Sequence, residues 1–128
     1  IAQCLVGSEM CIRDRYTIRN KLNKKYLYSV LEKVGLEPRS KIPVGKYSLG
    51  MRQRLAIGQA IMENPDILIL DEPMNGLDKN GVQEMRGLFE QMKNEGKLII
   101  LASHNREDID VLCDEVYEME NGILKKQR

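Results

Sequence analysis

The sequence has few of the features that mark extracellular, membrane-spanning or nucleic-acid-binding proteins. Its three cysteines lack the spacing of a disulfide framework, which predicts a reducing compartment and a cytosolic protein. No apolar run approaches the roughly 20 residues that a helix needs to span a bilayer. The net charge of +1 argues against an electrostatic nucleic-acid or membrane-surface binder. With 128 residues, 42% of them hydrophobic, we expect at most one globular domain.

The first fifteen residues form a segment that we set apart from the rest. Leu5–Arg15 resembles, without a break, the translation of a transposon-based sequencing adapter. An ordinary N-terminal strand and loop is the alternative, because the segment begins with apolar residues. The unbroken match favours the adapter, so residues 1–15 are predicted to be non-native and are excluded from the fold prediction.

Four branched apolar residues, Ile67–Leu70, are followed directly by two carboxylates, Asp71 and Glu72. A run this short suits a strand that is buried on both faces of a parallel sheet. Ligands of open α/β sheets bind beyond the carboxyl ends of the strands, so the two carboxylates lie where chemistry usually happens. One of them can hold Mg²⁺ while its neighbour orients or deprotonates a water. Considered alone, such a pair of acids more often just ends a strand.

Hydrophobic periodicity and turn residues predict an α/β order of elements along the remaining chain. Asn121-Gly122 is a strong signal for a two-residue hairpin turn between the last two strands. A stripe on the second helix is predicted to be buried, and it includes Leu55, Ile57, Ala60 and Ile61. The predicted helices are Tyr16–Val34, Ser48 to about Glu63, Lys79–Asn94 and Arg106–Leu112, and the further strands are Leu98–Ala102, Val116–Met119 and Ile123–Lys125.

Ser48 is predicted to cap the second helix, with Gly50 in its first turn. The unpaired N–H groups and the positive dipole end of a helix N-terminus suit a phosphate. Gly50 would let a ligand approach the backbone closely. A capped helix without any ligand explains the same two residues slightly better when they are considered alone.

Two segments around the carboxylates resemble motifs of the ATP-binding cassette (ABC) ATPases. Ile67–Glu72 resembles the Walker B strand followed by the catalytic glutamate, and Asn75–Asp78 resembles the D-loop, usually Ser-Gly-Leu-Asp. Ser103-His104, after a second apolar strand, resembles the switch-histidine loop. His104 is the only histidine, and a lone histidine is more often structural. Its place after a strand that can lie beside the carboxylates favours a functional role.

Tyr47–Arg54 resembles the ABC signature motif, commonly LSGGQ-x-QR. Leu49 stands where the family usually has glycine, and Met51 stands where it usually has glutamine. This tyrosine-led variant of the motif resembles that of bacterial drug- and peptide-immunity exporters. Four motifs in the family's order and spacing make the resemblance specific.

The resemblance implies a partial P-loop NTPase core of the ABC type, with an α/β fold, a parallel sheet and a C-terminal β-hairpin. Residues 16–64 would form the helical subdomain with the signature motif, and residues 65–128 the C-terminal half of the ATPase core. No G-x-x-x-x-G-K-[ST] occurs in the sequence. The phosphate-binding loop is therefore expected to precede residue 16, and the chain alone is expected to be inactive.

By the same resemblance, the cofactors are ATP and Mg²⁺, and the site residues fall into three groups. Those groups are Glu72 and His104 as catalytic residues, Asp71 as the ligand of Mg²⁺ bound with ATP, and Ser48, Gly50 and Asp78 at the ATP of a partner subunit or at the dimer interface.

The implied function is ATP hydrolysis by the nucleotide-binding subunit of a bacterial ABC transporter, most simply an exporter. Its partners would be a second nucleotide-binding subunit and a membrane-spanning permease that holds it at the inner face of the cell membrane; no nucleic acid is expected. A non-transport ABC ATPase acting in DNA repair or on ribosomes is an alternative. A sequencing by-product with no function as written is another.

Overall fold

A computed structural model describes residues 24–128 of the chain. The predictions for residues 1–15 and for the start of the first helix lie outside these residues. The helices are α1 (Lys24–Lys33), α2 (Leu49–Ile61), α3 (Lys79–Asn94) and α4 (Arg106–Leu112), with a short 3₁₀ helix at Val44–Lys46; the strands are β1 (Ile67–Asp71), β2 (Leu98–Ala102), β3 (Tyr117–Glu120) and β4 (Ile123–Lys126).

Helices α1 and α2 pack together as an antiparallel pair joined by an irregular connection. Val34 and Gly58 meet at the crossing, where the absence of a side chain on Gly58 leaves room for Val34, which is fully buried. Gly35 ends α1 in a left-handed conformation with φ 73°, and its N–H donates to the Glu32 carbonyl at 2.9 Å.

Strands β1 and β2 pair in parallel, with Ile67 opposite Leu98 and Asp71 opposite Ala102. The inward row of this sheet packs with the apolar stripe of α3 in one part of the core. That part of the core contains Leu68, Leu70, Met85, Leu88, Phe89 and Met92, with Ile99 and Leu101 packed against it.

The prediction that Ile67–Leu70 is buried on both faces is wrong for the described chain. Ile69 is 73% exposed and its neighbour Ile100 is 49% exposed, whereas Leu70 is only 6% exposed. The reason is geometric: α3 covers one face of the two-stranded sheet, and no element among residues 24–128 covers the other. The apolar residues of the outer row are therefore left in contact with water.

The C-terminal strands β3 and β4 form a separate antiparallel hairpin around Asn121-Gly122. Asn121 and Gly122 both have positive φ, 50° and 78°, as a two-residue turn that matches the strand twist requires. The predicted hairpin is confirmed, with each strand shifted or extended by one residue. Within the described residues, no helix is both long and apolar enough to cross a membrane.

Other boundaries agree closely with the sequence prediction. The helix capped by Ser48 ends at Ile61, two residues before the predicted end. Leu55, Ile57 and Ile61 are buried as predicted, but Ala60 is exposed because it lies on the opposite side of the helix from the core. The predicted bounds of α3, β2 and α4 are the observed ones.

The one-sided burial of the sheet can be tested with two adjacent alanine substitutions in the full chain. Leu70→Ala removes an inward side chain and should lower the free energy of unfolding by about 2–5 kcal/mol. Ile69→Ala removes an outward side chain and should change it by less than about 0.5 kcal/mol. Urea unfolding of the two variants measures the difference, and equal losses would show that the outer face is covered in solution.

Candidate functional site

The parallel register of β1 and β2 brings the carboxylates beside the histidine. Asp71 pairs with Ala102 at the carboxyl ends of the strands, so the residues that follow the two strands, Glu72 and Ser103, are neighbours as well. The Glu72 N–H donates to the Ala102 carbonyl at 2.8 Å, which continues the ladder one step past the strand. Sequence patterns predicted both strands, and their pairing makes one site from two distant segments.

The Glu72 carboxylate is the centre of this site. Its Oε1 accepts a hydrogen bond from the His104 backbone N–H at 2.9 Å and lies 2.6 Å from the imidazole Nδ1. Its Oε2 lies 3.5 Å from the Ser103 hydroxyl, which donates to it. The two residues predicted as catalytic are therefore in direct contact, although they are 32 positions apart in the sequence.

The contact shifts both titrations in the direction that favours a charged pair. The imidazole of His104, by its hydrogen bond, lowers the pKa of Glu72 below its ordinary value of 4.5. In turn the Glu72 carboxylate, first by that hydrogen bond and then by its charge, raises the pKa of His104 above 6.5.

The sign of each shift fixes the pH range in which the pair stabilises the fold. The stabilisation that His104 contributes is fully present below pH 6.5 and is lost as the pH rises through the raised pKa of His104. That from Glu72 is complete above 4.5 and is lost as the pH falls through its lowered pKa. The pair therefore contributes most between these two ordinary values, and its side chains stay open to solvent.

Helix α4 holds the loop that carries His104. The helix begins after Asn105, whose side chain accepts from the Glu107 N–H at 3.0 Å. Asp108, only 1% exposed, accepts two hydrogen bonds from the Arg86 guanidinium on α3. A buried charge with such a partner is costly to displace, so α3 fixes the start of α4 and with it the histidine.

The Asp71 carboxylate is suited to a hard cation. It is exposed, it lies next to Glu72, and no side-chain hydrogen bond or ion pair within residues 24–128 occupies it. The described residues hold no group of three or more His, Cys, Asp or Glu side chains able to bind a metal on their own. Asp71 therefore fits Mg²⁺ that keeps most of its ligands from water and a phosphate group, as this ion usually does.

The signature segment and the D-loop segment pack against each other in a second group. The Ser48 hydroxyl accepts from the Met51 N–H at 3.1 Å, which confirms it as the N-cap of α2. A side chain at Gly50 would come within 2.9 Å of the Gly76 carbonyl oxygen, so this position admits only glycine. Leu49, one of the two departures from the family motif, lies against Gly76. Its side chain fills the space that a β-carbon at position 76 would need.

Asp78 caps α3, as Ser48 caps α2. Its carboxylate accepts from the Gly81 N–H at 2.9 Å. No hydrogen bond joins the side chains of Ser48 or Asp78 to the Glu72–His104 pair within the described chain. The predicted site residues thus form two groups: Asp71, Glu72 and His104 at the strand ends, and Ser48, Gly50 and Asp78 at two helix N-termini.

Sequence reasoning missed one residue that links the two groups. Gln53 lies in α2, and its side-chain amide donates to the carbonyl oxygens of Glu72 and Pro73. The residue was visible within the signature segment, but the motif gave no indication of where its side chain points. Ser103 was recognised only as the neighbour of His104, and its hydroxyl proves to face the same carboxylate.

Comparison with known proteins identifies the family that this chain resembles. A family described as "ABC transporter" matches residues 4–75, which is more than half of the chain. The match begins inside residues 1–15, and the interpretation of that segment as adapter-derived stays a prediction.

Named relatives from several bacteria share substantial identity with the chain. The chain is 50% identical over 95 residues to the uncharacterized ABC transporter ATP-binding protein YybJ of Bacillus subtilis, covering 74% of the chain and 44% of the relative. It is 41% identical to the lantibiotic transport ATP-binding protein SrtF of Streptococcus pyogenes, covering 83% and 47%. The bacitracin transport ATP-binding protein BcrA of Bacillus licheniformis is 44% identical, covering 94% and 41%. The chain thus spans less than half the length of these curated relatives.

Among solved structures, the dimeric ATP-binding cassette MJ0796, in a post-hydrolysis state bound to ADP and Pi, superposes with a TM-score of 0.75 at 22% identity. The match covers 98% of this chain and 56% of that one, and it establishes the fold as that of a P-loop ATPase of the cassette type. Because the family model covers more than half of the sequence, the chain belongs to the ABC transporter family.

Proposed function

We propose that the chain is part of the ATP-hydrolysing subunit of a bacterial ABC exporter. The observation that carries this proposal is the contact of Glu72 with His104, 2.6 Å apart at the carboxyl ends of two parallel strands. The carboxylate of Asp71 lies beside it and has no side-chain partner among residues 24–128. A base, an electrostatic sensor and a cation ligand at one sheet edge are what phosphoryl transfer to water requires.

In this proposal Asp71 is the protein ligand of Mg²⁺ bound with ATP. When bound, the cation neutralises charge on the phosphate oxygens. The exposure of Asp71 and the lack of a competing side-chain partner in the described part of the chain support this role. Because a single carboxylate is too little to hold the metal without the nucleotide, we expect the ion to arrive with ATP rather than before it.

Glu72 orients and deprotonates the water that attacks the γ-phosphate. Its lowered pKa keeps the carboxylate ionised, and therefore able to accept a proton, throughout the neutral range. His104 carries a proton more readily than a free histidine, so its imidazole can donate a hydrogen bond to a phosphate oxygen. Exchange of its partner from Glu72 to the γ-phosphate would release the base for the water.

Ser48, Gly50 and Asp78 act on the nucleotide of a second subunit or at the dimer interface. Both helix N-termini that these residues build carry free N–H groups and a positive dipole end, which supports contact with phosphate. The close packing of Gly50 on Gly76 means that the signature segment and the D-loop segment would approach a partner as one surface.

Transport is the process that the relatives favour. SrtF and BcrA are described as lantibiotic and bacitracin transport proteins, which supports peptide antibiotics as the class of cargo. The partners would be a second nucleotide-binding subunit and a membrane-spanning permease, with the chain at the cytoplasmic side of the membrane. Since the 128 residues hold no G-x-x-x-x-G-K-[ST] sequence, we expect no ATP hydrolysis by the chain alone.

The role of Glu72 is tested by Glu72→Gln in the subunit that carries this chain. The amide cannot accept the water's proton, so turnover should fall by about 10²–10⁴-fold, while ATP still binds and a nucleotide-bound dimer accumulates. Phosphate release and gel filtration with ATP measure the two effects. Glu90→Gln, on the exposed face of α3, is the matched control and should be neutral. Turnover within a few-fold of the parent would rule out Glu72 as the base.

The cross-subunit role of Ser48 is tested in mixed dimers in which one subunit lacks the phosphate-loop lysine. Ser48→Arg places a bulky cation at the start of α2 and should abolish the remaining hydrolysis only when it lies opposite the intact phosphate loop. Ser40→Arg, in the connection between α1 and α2, is the control. An equal loss in both arrangements of Ser48→Arg would show that the residue serves its own subunit's nucleotide.

A further inference from the structure

The side chain of Gln53 connects helix α2 to the backbone that carries the candidate base. Its Nε2 donates to the Glu72 carbonyl oxygen at 3.3 Å and to the Pro73 carbonyl oxygen at 3.1 Å. The three residues are partly or fully buried, so water competes little for these two carbonyl groups. One amide thereby holds two consecutive peptide groups directly after the strand.

These peptide groups need holding because Glu72 has a strained backbone. Its φ is 45°, in the left-handed region that residues with a side chain rarely adopt. The conformation turns the chain sharply out of β1 and aims the carboxylate at His104. Within the turn itself, the Asn75 N–H donates to the Glu72 carbonyl at 3.1 Å, and the Glu72 N–H donates to Ala102. From outside the turn, Gln53 adds its two hydrogen bonds to the carbonyl oxygens of Glu72 and Pro73.

Helix α2 is fixed independently of this side chain. The Arg54 guanidinium donates to the Val34 carbonyl at 2.8 Å and pairs with Glu84 on α3 at 2.7 Å. Leu55 and Ile57 are buried in the core on the same helix. Loss of the Gln53 amide should therefore leave the helix in place and release only the turn.

The same helix begins at Ser48 and Gly50, one turn before Gln53. Any displacement of that helix end moves Gln53, because the residues between them belong to one rigid helical turn. The hydrogen bonds of Gln53 then carry the displacement to the Glu72 backbone. A ligand at the start of α2 and the base at the end of β1 are thus joined by a single side chain.

We propose that Gln53 is a positioning residue. It holds the left-handed turn at Glu72 and makes the orientation of the base depend on the placement of helix α2. The geometric part of this inference stands on the structure alone. Its consequence for hydrolysis rests on the proposed function, and the experiments separate the two.

The geometric part is tested by hydrogen–deuterium exchange with mass spectrometry on the full chain at low micromolar concentration. Gln53→Met keeps the length of the side chain and removes both donated hydrogen bonds. Exchange of the segment 70–77 should become at least fivefold faster, while that of α3 is unchanged. Gln59→Met, on the same helix and without a side-chain hydrogen bond among the described residues, is the matched control and should leave both segments unchanged. Unchanged exchange of 70–77 in Gln53→Met would overturn the proposal.

A second variant decides the case in which Gln53→Met does not fold. Glycine adopts positive φ without strain, so in a Glu72→Gly background the turn needs no support from Gln53. The double variant should then fold, with a thermal midpoint close to that of Glu72→Gly alone. A double variant that stays unfolded would show that Gln53 supports some other part of the structure, which would overturn the proposal.

The consequence for hydrolysis is measured in the subunit that carries this chain. Gln53→Met should lower kcat by at least tenfold and leave the KM for ATP within about twofold, since a misdirected base slows the chemical step without changing nucleotide binding. Gln59→Met should leave both constants unchanged. A loosened turn with unchanged kcat would overturn the positioning role. If the parent subunit hydrolyses no ATP, the proposed function fails, and the exchange experiment still decides whether Gln53 holds the turn.

Discussion

The parallel register between β1 and β2 is the constraint on which the site depends. Asp71 pairs with Ala102, and every functional contact at the sheet edge follows from that pairing. A shift of one residue would turn the inward row of the sheet outward and would separate Glu72 from His104. The packing of Leu70 and its neighbours against α3 fixes the register, so the hydrophobic core sets the geometry of the chemistry.

Three helices then act as braces around the sheet edge. Arg86 of α3 holds Asp108 and so fixes the start of α4 and the loop with His104. Arg54 of α2 pairs with Glu84 of α3, so helix α2 is also tied to α3. Arginine side chains on helices thus add to the support that the core gives the candidate site, while the groups proposed to do chemistry stay open to solvent.

Local patterns in the sequence predicted most of the elements but not all of their surroundings. The bounds of α3 follow from its apolar stripe, from the N-cap Asp78 and from Gly96, which has a positive φ just after the helix, and they were predicted correctly. The exposure of Ile69 was not predicted. A continuous apolar run shows only that a strand can be covered on both faces, and it does not show which elements cover it. Burial depends on packing partners, and a strand's own residues do not name them.

The site was predicted in the same uneven way. Glu72 and His104 were recognised from motifs, and the pairing of their strands brought them together as expected. The left-handed backbone of Glu72 and the hydrogen bonds of Gln53 were not predicted. A glycine there would have signalled the turn, but the proposed chemistry needs a carboxylate, so the sequence conceals the strain.

The contact between Glu72 and His104 is the central claim, and the chain offers a clean measurement of it. His104 is the only histidine, so the proton on its Cε1 gives one NMR signal that can be followed with pH in the full chain. The contact predicts a pKa above the ordinary value of 6.5, and a lower pKa for His104 in Glu72→Gln. A histidine that titrates at the same pH in both proteins would contradict the account.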